Sequence, residues 1–193
     1  RGCKVYVTLN TLVNDREIAQ AVESARLASQ LGADGIIIQD LGLAYAIRQA
    51  LPDIPLHAST QMSIHNLAGV EAAAEMGMTR AVLARELSLE QIKFITQHAS
   101  IETEVFVHGA LCFCQSGQCY MSALIGRRSG NRGMCAQPCR LPDKSGNYPL
   151  SLKDLSMASR IPELLSAGAK SLKIEGRMKA PEYVFGVTKI YRR

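Results

Sequence analysis

Gly32-Ala33-Asp34-Gly35-Ile36-Ile37-Ile38-Gln39-Asp40 decides how this chain folds. A glycine turn opens the stretch, three isoleucines follow without alternation, and two polar residues close it. An unbroken β-branched run fits a strand covered on both faces, as strands of parallel sheets are. The segment before it, about 15–31, sets Ile18, Ala21, Val22, Ala25 and Ala28 at helical spacing, with Asn14 or Asp15 suited to cap it. A helix therefore delivers the chain to a buried strand, which ends in polar residues.

The same unit repeats in both directions. Strands are expected at 4–9, 56–59, 80–83, 104–107, 148–151 and 171–174. Helices are expected at 41–50, 64–76, 89–98 and 157–167, with a last one from Pro181, a residue that suits the first turn. Seven strands, nearly all followed by helices, predict an α/β fold of the (β/α)8 TIM-barrel type, incomplete at about seven βα units. A doubly wound sheet is the alternative, although no glycine-rich dinucleotide fingerprint follows any strand. Residues 1–193 then form one partial barrel domain, with a cysteine-rich insertion at 110–147 after the fifth strand. Arg1 stands where a Met would start a chain and the last pattern stops at Arg193, so a fragment lacking one unit is the expectation.

In such a barrel, chemistry sits at the C-terminal ends of the strands. The polar residues there are Asn10, Gln39 with Asp40, Ser59 with Gln61, Arg85 with Glu86, His108, Lys153 with Asp154, and Glu175 with Arg177. Any one of these suits a cap; their concurrence on one rim suggests a site. His57 and His108, both read as strand-end residues, are expected to meet across the rim, whereas His65 and His98 read as ordinary helix residues. No Ser-His-Asp arrangement emerges from the spacing.

The insertion carries five of the six cysteines: Cys112, Cys114, Cys119, Cys135 and Cys139, with Cys3 far away. Clustered thiols at loop-like spacing point to metal, iron–sulfur or redox chemistry. Cys112 and Cys114 on an extended segment face opposite ways, so at most one of the two is expected to join Cys119, Cys135 and Cys139 in a shared site. Zinc that only pins the loop is the structural alternative. No signal-peptide pattern opens the sequence and no apolar run reaches the roughly 18 residues of a membrane helix, so a reducing, cytoplasmic setting without membrane association is expected.

Charge divides the chain. Residues 1–126 carry 8 Lys/Arg and 12 Asp/Glu, a net of −4; residues 127–193 carry 14 and 5, a net of +9. The basic part begins inside the insertion with Arg127, Arg128, Arg132 and Arg140, which favours a polyanionic partner such as structured RNA. A solvated basic surface is the plainer reading.

Several motifs together resemble one family. Glu104-Val105-Phe106-Val107-His108-Gly109-Ala110-Leu111-Cys112 and Gly117-Gln118-Cys119-Tyr120-Met121-Ser122 are similar to the signature of the peptidase U32, or collagenase-like, family. Val5–Thr11, Arg132–Arg140 and Leu172–Met178 look like the same family, so the resemblance spans the chain. It implies a barrel with one more strand–helix unit before Arg1. By its name it implies a peptidase. By the members resembling this chain it implies an oxygen-independent hydroxylation enzyme, acting on a transfer RNA uridine, a ribosomal RNA cytidine or in quinone biosynthesis. Ile125–Gly133 looks most similar to the 23S ribosomal RNA cytidine branch. The resemblance further implies a [4Fe–4S] cluster on Cys112, Cys119, Cys135 and Cys139, with zinc the alternative. Some members take their fourth ligand from elsewhere, and Cys114 is a further thiol for that place. It also implies a small acidic co-substrate such as prephenate.

The expected assignment is then a cluster on those four cysteines above the barrel mouth. His57, His108, Glu175 and Arg177 serve as catalytic groups for the co-substrate, and Arg127, Arg128, Arg132 and Arg140 bind phosphate. Competing readings are a U32-type protease and a non-catalytic RNA-binding module with a zinc-stapled loop. A cysteine protease needs one activated thiolate beside a base, and a set of five thiols suits ligation better.

Overall fold

The computed structural model describes residues 2–177 and 179–192; Arg1, Met178 and Arg193 lie outside them. The isoleucine run forms a central strand, β2 (Gly35–Ile38), in which Ile36 and Ile38 are fully buried. It pairs in parallel with β1 (Tyr6–Leu9) on one side and β3 (Leu56–Ala58) on the other. β4 (Arg80–Val82) and β5 (Glu102–Gly109) continue the parallel sheet, and β7 (Ser171–Ile174) pairs in parallel with β5. The sheet curls into part of a TIM-like barrel. Among the described residues no pairing joins β7 back to β1.

One expected strand is absent. Residues 148–151 form no strand, and β6 is a two-residue piece, Leu155–Ser156, antiparallel to β5 at His108 and Gly109. Among the described residues the sheet therefore has six parallel strands and one short antiparallel arm, not seven parallel βα units. The cause is local. The Asp143 carboxylate accepts from Ser145 N at 2.8 Å and Asn147 N at 2.9 Å, closing a turn, and Pro149 has no N–H to give a ladder.

Among the described residues seven helices accompany the strands: α1 (Asp15–Gln30), α2 (Leu41–Ala50), α3 (Leu67–Glu75), α4 (Leu89–His98), α5 (Met121–Gly126), α6 (Ile161–Ser166) and α7 (Pro181–Tyr191). Their starts are written in the sequence. Asn14 caps α1 in a reciprocal box with Glu17, Asp40 caps α2, Asn66 caps α3, and Ser88 caps α4 in a box with Gln91. Asp40 is thus a rim residue with a structural task. Leu43, Ile47, Leu56, Val70, Leu83, Val107 and Leu164 join Ile36 and Ile38 in the buried core, each contributing about 1.5–3 kcal/mol. No described helix is long and apolar enough to cross a membrane.

Candidate functional site at the barrel rim

The five clustered cysteines lie in residues 110–154, which link β5 to β6 and fold as α5 and a 3₁₀ turn at Pro138–Arg140. Polar groups at the strand ends hold this segment down. Beyond β4, the Glu86 carboxylate accepts from both the backbone N–H and the hydroxyl of Ser116, the latter at 3.1 Å. Ser116 is fully buried, and its carbonyl accepts from the Ser63 hydroxyl beyond β3. The next residue, Gly117, has φ +76°, and a Cβ there would overlap the Gln61 carbonyl oxygen and meet its Cα at 2.8 Å. Only glycine suits both the left-handed backbone and that approach.

A second contact lies further along. Asn131 Nδ2 donates to Gln39 Oε1 at 2.8 Å and Gln61 Oε1 at 3.0 Å, and Asn131 Oδ1 accepts from Leu12 N at 3.1 Å. Arg132 forms a bidentate pair with Glu17 on α1 at 2.9 and 3.0 Å. That pairing, with the capping bond to Asn14, holds the Glu17 carboxyl down at about 2. Arg140 donates to Leu111 O and Ser151 Oγ, both at 2.9 Å, and to Leu152 O. Two of the four arginines expected to bind phosphate, Arg132 and Arg140, are therefore engaged within the protein. Arg127 and Arg128 at the end of α5 are exposed.

The thiols share one neighbourhood. Burial, then the adjacent Cys119 and Cys112 thiols, push the Cys114 thiol up. Burial, then Cys112 and Cys135, push Cys139 up against the pull of Arg140. Cys135 Sγ accepts from Gln137 N at 3.3 Å and from the Ser122 hydroxyl at 3.7 Å, and Ser122 in turn accepts from Ala136 N at 3.0 Å. An all-thiol donor set suits an iron–sulfur cluster or zinc. Among the described residues no three His, Cys, Asp or Glu side chains are arranged to hold a metal ion. The donor chemistry therefore fits a thiophilic group, while the thiols do not form a closed metal site. The upward push on Cys114 and Cys139 is the opposite of what a nucleophilic cysteine at either place needs.

His108, Glu175 and Arg177 do lie at the rim. A bulge between Phe106 and His108 shifts the β5–β7 register there, and His108 Nδ1 meets the Tyr191 hydroxyl of α7 at 3.1 Å. Glu175 N donates to His108 O at 2.9 Å, and Glu175 Oε1 accepts from Arg177 N at 3.1 Å. Gly109, at φ +107°, admits the Glu175 backbone; a Cβ there would meet the Glu175 carbonyl oxygen at 2.7 Å. The Arg177 guanidinium reaches Gly133 in the cysteine segment.

His57 is a correction. It is the middle residue of β3, not a strand end, and it is buried. Its ring lies 4.7 Å from that of Tyr6, and it pairs in register with Arg80. Arg80 bonds Glu102 at 2.6 Å and approaches Glu104 at 3.6 Å; Glu104 accepts from Lys173 and Ser171, each at 2.7 Å. Burial, then the Arg80 charge, push His57 down to about 4. Burial would raise Glu104, but Lys173, Ser171 and Arg80 hold it below the usual carboxylate range. His57 thus belongs to a charged layer inside the sheet, while the partners of His108 are on α7, so the two do not form a pair.

Sequence reasoning placed Glu86 on the rim without its partner Ser116, and missed Ser116, Gln118, Asn131 and Glu17. Gln118 lies inside the Gly117–Ser122 motif, and Glu17 was visible as the third residue of a capping box.

The model of peptidase family U32 matches residues 1–193. The chain is 42% identical to the 23S rRNA 5-hydroxycytidine C2501 synthase of Escherichia coli, over all of this chain and 30% of that protein. It is 34% identical to tRNA hydroxylation protein P1 of Bacillus subtilis, over all of this chain and 49% of that protein. It is 33% identical to a collagenase of Porphyromonas gingivalis, over all of this chain and 51% of that protein. The chain thus spans from under a third to about half the length of these relatives. A dihydropteroate synthase from Anaplasma phagocytophilum shares the fold, with TM-score 0.52 and 15% identity over 96% of this chain and 72% of that one. With the family model covering its whole length, this chain belongs to peptidase family U32.

Proposed function

We propose that this chain forms the reaction centre of an RNA base hydroxylation enzyme, with a cytidine of ribosomal RNA as the favoured substrate. The observation that carries this is a thiol-rich segment held over the barrel rim by Glu86, Gln61, Asn131 and Arg132. It is supported by 42% identity along the entire chain to a ribosomal RNA hydroxycytidine synthase. Cys112, Cys119, Cys135 and Cys139 are the residues that would hold a [4Fe–4S] cluster, with Cys114 the alternative for the fourth place. Such a group supplies one-electron redox chemistry when bound.

The chain's own residues do the rest. Arg127 and Arg128 are exposed beside the segment and meet RNA phosphate. Arg177, on the rim against Gly133, suits the carboxylate of a small acidic co-substrate such as prephenate. Glu175 fixes the Arg177 backbone, and His108, with Tyr191 on its Nδ1, stands beside them as a proton carrier. A cytoplasmic location accords with ribosomal or transfer RNA as substrate.

Deleting the gene and mapping RNA hydroxylation by mass spectrometry tests the reading, together with iron and sulfide counts on anaerobically purified protein. Loss of one hydroxylated base and about four irons per chain are expected. An unchanged modification profile, or a colourless zinc protein, contradicts the substrate or the cluster respectively.

A further inference from the structure

A cavity of about 550 Å³ lies between the cysteine segment and the β1–β2 rim. Gln39, Gln118, Tyr120 and Asn131 line it, together with Leu12 and Asn14. Its size falls within the range of small-ligand pockets, about 300–1,000 Å³. Its polar lining is mostly neutral, the amides of Asn14, Gln39, Gln118 and Asn131 with the hydroxyls of Tyr120 and Ser129, and its one cation, Arg132, is already neutralised by Glu17. A phosphate or carboxylate site has the opposite character.

The amides are fixed in orientation. Asn131 spends both N–H groups on Gln39 Oε1 and Gln61 Oε1. Gln39, only 9% exposed, donates one N–H to Gln61 O at 3.3 Å and keeps one N–H and one oxygen lone pair unspent. Gln118 donates to the Ser63 hydroxyl at 3.3 Å and keeps its carbonyl oxygen. A primary amide offers a donor beside an acceptor, the complement of the Watson–Crick edge of a pyrimidine. Tyr120 supplies an exposed ring, 63% accessible, as a stacking face. The pocket also adjoins the thiols: Tyr120 follows Cys119, and Gly130, beside Asn131, sits against Cys119 O and the Cys135 side chain, its Cβ position 3.7 Å from each.

We infer that this cavity receives a single pyrimidine base swung out of RNA, stacked on Tyr120 and read by Gln39 and Gln118, with Asn131 positioning Gln39. The inference deepens the proposed function and rests on it for RNA as the ligand. Its weight comes from neutral, oriented amides and an aromatic face in one cavity beside the thiols. Extrusion costs a few kcal/mol and is cheapest for a loop base already unpaired, so a hairpin loop suits the site.

The test measures binding of two RNA hairpins by the purified protein, one with cytidine in the loop and one with an abasic residue there. Stacking and edge recognition predict that the cytidine hairpin binds about tenfold or more tighter. Tyr120→Phe keeps that ratio, whereas Tyr120→Ala and Gln118→Ala, both at exposed positions, reduce it toward one while overall salt-dependent binding remains. Equal binding of the two hairpins by the unaltered protein, or an unchanged ratio in Tyr120→Ala, overturns the pocket. RNA mass spectrometry separates this result from the proposed function. Cytidine preference without a hydroxylated product supports the pocket and contradicts the hydroxylation reading. Hydroxylation that persists in Tyr120→Ala contradicts the pocket and leaves that reading standing.

Discussion

Replacing Gly117 with Ala tests whether the cysteine segment is seated on the rim as a defined structure. The native φ of +76° costs a residue with a Cβ about 1–2 kcal/mol. The new methyl group also overlaps the Gln61 carbonyl, a backbone atom that cannot rotate away. Relief comes when the segment lifts, which surrenders the two Ser116 hydrogen bonds to the Glu86 carboxylate. Each bond to a charged acceptor contributes about 1.5–3 kcal/mol, and the lower value suits Glu86, which faces solvent. Seating then weakens by about 3 kcal/mol, on the order of 100-fold in the local closing equilibrium. Hydrogen exchange read by mass spectrometry reports this directly. Exchange of the Ser116 amide should accelerate by about that factor, while β2 and β5 keep their protection. Unchanged protection at Ser116 in Gly117→Ala would refute the seating described above.

Other substitutions probe separate parts of the molecule. His57 is held at about 4, below its free value of 6.5, so the folded state binds fewer protons than the unfolded one. The stability this contributes is complete above about pH 6.5 and is lost as pH falls toward about 4, up to about 3 kcal/mol; His57→Phe should flatten that part of a denaturation-versus-pH curve. Lys173→Met leaves the buried Glu104 carboxylate to Arg80, 3.6 Å away, and should cost about 3 kcal/mol, with part recovered by adding Glu104→Gln. An unchanged melting temperature would contradict that. Arg127→Ala with Arg128→Ala should weaken RNA binding for all sequences alike and lower the slope of log K against log salt by about 1.5, leaving the fold intact.

Much of the scaffold was legible in the sequence because local signals agreed with the final packing. The isoleucine run became β2, and Asn14, one of the two caps the sequence offers for the first helix, does cap α1. The sixth strand was misplaced because Tyr148-Pro149-Leu150-Ser151 has strand-like composition, whereas the Asp143 turn and Pro149 govern its backbone. The true β6 is two residues long, set only by its contact with His108 and Gly109, so no periodicity announces it. His57 was placed one layer too high because a three-residue strand has no visible end in a run of buried residues. The rim was legible as polar strand ends, but not which residues engage which. Arg132 and Arg140 read as free basic charge, while their partners Glu17 and Leu111 lie 115 and 29 residues away. Such pairings come from tertiary contact, which composition does not encode.

In the proposed function the seated thiols and the barrel rim act as one RNA-hydroxylating centre. The most direct measurement is restoration of the RNA hydroxylation profile, by mass spectrometry, in a deletion strain carrying the unaltered gene or Cys119→Ala, Cys135→Ala or Glu86→Gln variants at equal protein levels. The unaltered gene should restore one hydroxylated base, both cysteine variants none, and Glu86→Gln less. Full restoration by either cysteine variant would contradict that centre.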